Sequence, residues 1–173
     1  ADYFQTVKGG GHGDYKLITL APNSVQEMAD FVALGFDLAF KYRNPAMILT
    51  DGVIGQMMEK VKLPDFKRKR TEQEMHEQCP SATLGKTSDR EPNIITSLES
   101  KYKEVEANEV RYEEIKCSDA EYIIVAFGSA ARICLKAIEM ARKEGIKVGL
   151  IRPITLWPYP TKIINEYANK VKA

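Results

Sequence analysis

Tyr122-Ile123-Ile124-Val125-Ala126-Phe127-Gly128-Ser129, a helical pattern to about Lys143, then Gly145 and Lys147-Val148-Gly149-Leu150-Ile151 make up the stretch that decides the fold. A short unbroken apolar run bounded by turn residues reads as a strand buried on both faces. The runs at Tyr122 to Phe127 and Lys147 to Ile151 both fit, and the segment between them has helical spacing. Gly145 suits a helix C-terminus, while Arg142 and Lys143 suit its negative end. Strand, helix and strand in this order predict a βαβ unit and a parallel sheet. Backbone amides at Gly128-Ser129 would face an anion at such a turn. The GxGxxG dinucleotide fingerprint is absent, so the expectation is a plain turn with an N-cap.

Toward the N-terminus lies a second α/β piece. Leu17 to Leu20 reads as a strand and Pro22-Asn23 as a turn, and Ser24 with Glu27 forms a capping box opening a helix to about Tyr42. Asn44 and Pro45 stop it, and Ala46 to Leu49 gives a second strand ending at Asp51-Gly52. Ile54 to Glu59 suggests a helical turn, and Pro64 marks a boundary. Residues 65–93 are polar, without periodicity, and read as a linker whose basic run Lys67 to Arg70 is a solvated segment. Ile94 to Ile115 has the spacing of a long amphipathic helix. After Ile151, the three prolines between Arg152 and Pro160 predict an extended turn beside which Trp157 and Tyr159 fill a groove, followed by an amphipathic helix to about Val171. The fold class is therefore α/β, built of parallel βαβ units. With so few evident strands the sheet edges need covering, and the chain is expected to be part of something larger.

Composition narrows the function classes. The 173 residues are 44% hydrophobic and 28% charged with net charge +1, which gives no general attraction to nucleic acid or an anionic membrane. No apolar run approaches the roughly 18 residues of a membrane span, no signal-peptide pattern opens the chain, and a cytoplasmic protein is expected. Cys79, Cys117 and Cys134 are odd in number and widely spaced, so neither a disulfide framework nor a metal site is indicated. Any metal cluster would belong to another chain.

The residues with most chemical capacity lie in Lys8-Gly9-Gly10-Gly11-His12-Gly13-Asp14-Tyr15. Four glycines in eight residues permit positive φ and close approach of another surface, and Lys8, His12 and Asp14 add titratable groups. These three are the candidate catalytic residues. The competing reading is a glycine-rich surface turn with solvated charges.

Together with Ala21-Pro22-Asn23-Ser24-Val25-Gln26-Glu27-Met28, Pro45-Ala46-Met47-Ile48-Leu49-Thr50-Asp51-Gly52 and Ile54-Gly55-Gln56-Met57-Met58-Glu59, that loop resembles the thiamine diphosphate-dependent 2-oxoacid:ferredoxin oxidoreductases. Val125-Ala126-Phe127-Gly128-Ser129 and Gly149 to Pro158 resemble the second, transketolase-C-terminal-like domain of the same subunit. The loop and the Gln-Met-Met-Glu turn are closest to the 2-oxoisovalerate branch. The resemblance implies a partial pyrimidine-type domain over 1–64, a linker over 65–93 and a partial transketolase C-terminal-like domain over 94–173. It implies oxidative decarboxylation of a 2-oxoacid to an acyl-CoA, with electrons passing to ferredoxin. Thiamine diphosphate and Mg²⁺ would belong to the intact complex, with the diphosphate, metal and iron–sulfur clusters held by other subunits.

Members of this subunit family are about twice as long, and the activating glutamate, the Tyr-Pro-Ile-Thr-Pro substrate loop and a substrate-binding arginine that precede this region are absent here. The chain is thus expected to be an internal fragment that by itself neither binds thiamine diphosphate nor turns over substrate. His12 would donate to a substrate carboxylate, or hydrogen-bond Asp14 and hold the loop. Asp51-Gly52 resembles the start of a thiamine metal motif but lacks the downstream asparagine and is rejected as a metal site. A different class of function, a non-catalytic α/β scaffold or regulatory binding module, stays open at this point.

Overall fold

A computed structural model describes residues 2–9, 15–63 and 91–172. Two three-stranded sheets organise them. In the first, β1 (Ile18–Leu20) is central, with β2 (Ala46–Ile48) parallel on one side, Ile18 opposite Ala46. The crossover between them is α2 (Val25–Tyr42), preceded in the chain by α1 (Asp2–Val7). Half of the capping box forms as its spacing predicts, Ser24 Oγ accepting from the Glu27 amide at 3.2 Å, while Glu27 Oε2 reaches one residue beyond the N-cap to accept from the Asn23 amide at 2.8 Å. Arg43 closes the helix in a left-handed conformation, φ 49°. The segment after β2 forms α3 (Gly52–Gln56).

The second sheet has the order β3-β5-β4, from β3 (Tyr112–Ile115), β4 (Tyr122–Val125) and β5 (Val148–Pro153). β4 and β5 run parallel, joined by α5 (Gly128–Lys143), which is the expected βαβ unit. The end of α5 shows why Gly145 stands there: its φ is +84°, its amide donates to Arg142 O at 3.1 Å, and the Ile146 amide donates to Ala141 O at 3.0 Å. That paired closure requires a left-handed residue.

Three expectations need correction. The helix read over Ile94 to Ile115 is shorter: α4 (Glu91–Asn108) opens inside the segment read as a linker and stops at Asn108, after which Tyr112–Ile115 is a strand antiparallel to β5. A four-residue strand with Glu113 and Glu114 at its centre has no helix-independent signal of its own; β5 supplies the hydrogen bonds that make it one. The stretch from Arg152 to Pro160 is not merely a turn, since Thr155–Trp157 forms β6, antiparallel to β1. Each sheet therefore mixes one parallel and one antiparallel pair. Finally, the last helix, α6 (Thr161–Ala168), is shorter than the reading to Val171.

β5 and β6 are separated only by Ile154, so the run 148–157 serves both sheets. The joint is tied on both sides: Ile154 O accepts from the Ala21 amide at 2.8 Å, and the Ile154 amide donates to Arg111 O at 2.9 Å. One core gathers Ile18, Leu20, Phe31, Leu38, Val105 and Trp157; the other gathers Ala131, Ile138 and Leu150. Val105 of α4 and Trp157 of β6 complete the core begun by β1 and α2, so distant parts of the chain share one apolar centre. None of the described helices is long and apolar enough to cross a membrane.

Candidate functional site

Of the three candidate residues, Lys8 lies among the described residues; His12 and Asp14 lie outside them. Lys8 follows α1, its amide donating to Phe4 O at 2.9 Å and its ammonium standing 5.6 Å from the centre of the Phe4 ring. The described ends of the glycine segment meet. Gly9 has φ +70°, and a Cβ there would stand 2.8 Å from Tyr15 O, so only glycine fits. Lys16 is fixed by side chains from far along the chain: its amide donates to Tyr102 Oη of α4 at 3.1 Å, and its carbonyl accepts from Asn44 Nδ2 at 2.9 Å. Tyr102 is itself set edge-on against Trp157, ring centres 5.6 Å apart.

At the other end of α1 is a second cluster, which joins the two sheets. Tyr3 stacks on Phe127 at 5.7 Å, just before α5 opens. Phe127 offers no side-chain cap to that helix. The acceptor comes instead from Asp51, whose Oδ2 takes the Ser129 amide at 2.9 Å while Oδ1 takes the amides of Val53 and Ile54, each at 3.0 Å. One carboxylate therefore caps α3 and α5 together. Burial pushes the Asp51 carboxyl up, but the donors at Ile54, Ser129 and Val53 prevail and hold it below its usual range. Gly128 makes this approach possible, with φ +61° and space for a Cβ only 3.1 Å from Asp51 Oδ2. The turn at Gly128-Ser129, read from sequence as a plain turn with an N-cap, is thus capped by a side chain from elsewhere in the chain and not by a residue of its own. Nearby, Glu59 pairs with Arg132 of α5, and Gln26 exchanges two hydrogen bonds with the backbone of Lys62, 2.8 and 2.9 Å.

A third polar group closes the opposite end of α2. The Glu109 carboxylate, 4% exposed, accepts from Lys41 Nζ at 2.8 Å, Tyr42 Oη at 2.7 Å and Arg111 Nη2 at 2.8 Å. Burial opposes its ionisation, yet these three donors hold it below the ordinary carboxylate range. Glu109 and Arg111 fall within the span read as one long amphipathic helix, and nothing in their local pattern sets them apart. Asp51 was legible in part: an aspartate before a helical turn is a preferred N-cap.

Among the described residues no group of three His, Cys, Asp or Glu side chains is placed to hold a metal ion. The described residues also do not suit a diphosphate and its metal. The amides at the strand-to-helix turns are already taken by side chains of the chain itself: Ser129, Val53 and Ile54 donate to Asp51, and Val25 donates to Glu59.

Residues 1–125 match the family described as pyruvate flavodoxin/ferredoxin oxidoreductase, thiamine diphosphate-binding, and residues 120–173 match pyruvate:ferredoxin oxidoreductase core domain II. The chain is 46% identical to the ketoisovalerate oxidoreductase subunit VorB of Methanothermobacter marburgensis, over 97% of this chain and 50% of that one. It is 33% identical to the 2-oxoglutarate synthase subunit KorA of Methanocaldococcus jannaschii, over 93% of this chain and 52% of that one. The chain thus spans about half the length of the curated relatives it matches. Its fold is similar to that of a 2-oxoglutarate:ferredoxin oxidoreductase from Magnetococcus marinus, whose structure holds 2-oxoglutarate, coenzyme A and succinyl-CoA. The TM-score is 0.72 and the identity 21%, over 99% of this chain and 36% of that one.

Proposed function

Because the chain belongs to the thiamine diphosphate-dependent 2-oxoacid:ferredoxin oxidoreductase family, we propose that it forms part of a subunit of such an enzyme acting on 2-oxoisovalerate. The observation that carries this reading is the difference in likeness: 46% identity to a ketoisovalerate subunit against 33% to a 2-oxoglutarate subunit, over nearly the same span. In the proposed reaction the bond to the substrate carboxylate breaks and CO₂ leaves. The acyl group passes to the thiol of coenzyme A, and two electrons pass through iron–sulfur clusters of partner subunits to ferredoxin. The cofactor's diphosphate and Mg²⁺ are assigned to a partner subunit, a reading supported by the Gly128-Ser129 turn, where Asp51 already occupies the Ser129 amide.

Within this reading Lys8, His12 and Asp14 are the residues of this chain nearest the chemistry. His12 either donates to the substrate carboxylate or orders the loop through Asp14. The complex works in the cytoplasm, a setting that agrees with the free thiols of Cys117 and Cys134.

The test is to purify the native protein anaerobically with its partner chains and measure coenzyme A-dependent ferredoxin reduction with 2-oxoisovalerate, 2-oxoglutarate and pyruvate. A preference for 2-oxoisovalerate in kcat/KM supports the assignment, and preference for another acid moves it to another branch. A colourless protein with no partners and no turnover sinks the enzyme reading in favour of a scaffold. His12→Ala in the active complex should lower kcat on the order of 100-fold if His12 handles a proton or the substrate carboxylate; unchanged turnover removes that role.

A further inference from the structure

Arg152 is 1% exposed and stands where the shared run 148–157 leaves the second sheet for the first. Two carboxylates of different origin hold its guanidinium. Nη1 donates to Glu113 Oε2 at 2.8 Å, across β3 and β5, where the two residues are direct partners. Nη2 donates to Glu27 Oε2 at 2.5 Å, in the first turn of α2 and 125 residues away. The same Glu27 oxygen takes the Asn23 amide, so one atom ties down the entry to α2 and grips the strand joint at once. Nε has no partner.

A buried ion pair is a poor means of gaining stability, since its desolvation cost rivals its attraction and apolar side chains of equal volume serve as well or better. A planar fork that satisfies two carboxylates from fixed directions does supply orientation. The contacts agree with that use, because Glu27 belongs to the helix that covers the first sheet and Glu113 to the edge of the second. We propose that Arg152 is a positioning residue that fixes the first sheet and α2 against the second sheet in a single orientation. This holds whether or not the substrate assignment above is correct, since it concerns the joint and not the loop.

The experiment is hydrogen exchange on the full-length subunit in its native complex, followed in peptides covering Ala21, whose amide bonds to Ile154 O, and covering β3. Arg152→Met should speed exchange in both regions together, on the order of 100-fold, as expected when a buried charge network loses its centre. Arg152→Lys, which keeps the charge but loses the fork, should recover part of that protection in both. Glu27→Gln should speed exchange on the order of 10-fold in the wild-type background but have almost no further effect in Arg152→Met, because the pair is already gone. Acceleration confined to β3, or fully additive effects of Glu27→Gln and Arg152→Met, overturns the proposal. If Arg152→Met does not assemble, Glu113→Gln decides: its carboxylate is 45% exposed, and the variant should loosen the Ala21 region as well as β3, whereas loosening of β3 alone overturns the lock.

Discussion

Replacing Asp51 by alanine removes the acceptor for three amides at the starts of two helices. A lost N-cap costs about 1 kcal/mol, and a carboxylate at a helix N-terminus adds roughly 0.3–1 kcal/mol. With α3 and α5 both affected, Asp51→Ala should lose about 2–3 kcal/mol at neutral pH. Asp51→Asn keeps an oxygen for Val53 and Ile54 but turns an NH₂ toward the Ser129 amide, donor against donor, so about 1–1.5 kcal/mol is lost. The direction with pH follows from the lowered carboxyl. Its contribution is present above the unfolded-chain value, about 3.9, and is lost as pH falls through the lower folded value. The gap between wild type and Asp51→Ala should therefore be full at pH 7 and narrow below about pH 4. Urea unfolding of the full-length subunit reads this directly: at an m of about 2 kcal/mol/M, the alanine midpoint should fall by about 1–1.5 M at pH 7. Coincident midpoints at pH 7, or a gap that does not narrow in acid, would refute the shared-cap argument.

Three other perturbations follow from the packing. Gly149→Ala puts a Cβ 2.8 Å from Lys116 O and 3.0 Å from both Cys117 Cα and Ile123 Cδ1, and should cost about 2–3 kcal/mol, seen as a Tm lowered by several degrees; an unchanged Tm would show that β5 yields there. Glu109→Gln leaves Lys41 and Arg111 without their counter-charge and should destabilise by about 2 kcal/mol at pH 7. Because the Glu109 carboxyl is lowered, that difference should shrink as pH drops below about 4.3, which a pH series of unfolding midpoints checks. Tyr102→Phe deprives the Lys16 amide of its acceptor and should speed exchange of that amide about fivefold while global stability changes by about 1 kcal/mol or less; unaltered exchange would mean that Tyr102 does not order the base of the glycine segment.

What could be read in the sequence was whatever a segment decides locally. The Ser24 N-cap, the apolar runs of β4 and β5, and Gly145 with two basic residues before it all act within a few residues, and each appears as expected. β3 and β6 are decided elsewhere. Tyr112–Ile115 carries two glutamates, and Thr155–Trp157 lies between Pro153 and Pro158, so each becomes a strand only because β5 or β1 presents an unpaired edge. The polar seam was hidden for the same reason. Arg152, Glu109 and Asp51 are ordinary charged residues in sequence, and each has a partner far along the chain, 125, 68 and 78 positions away respectively. The glycine segment announced itself through composition, while the side chains that fasten its exit, Tyr102 and Asn44, carry no mark of that task.

The run 148–157 also bears on how this protein can be divided. The two family matches meet at 120–125, an obvious place to cut when seeking separately expressible pieces. Such a cut would leave β1 without β6 and strip Trp157 from the core around Ile18, while the downstream piece would lack β3 at the flank of β5. The boundary along the chain is therefore not a boundary in space, and exchange of modules between relatives at that point would need both halves to come from the same parent.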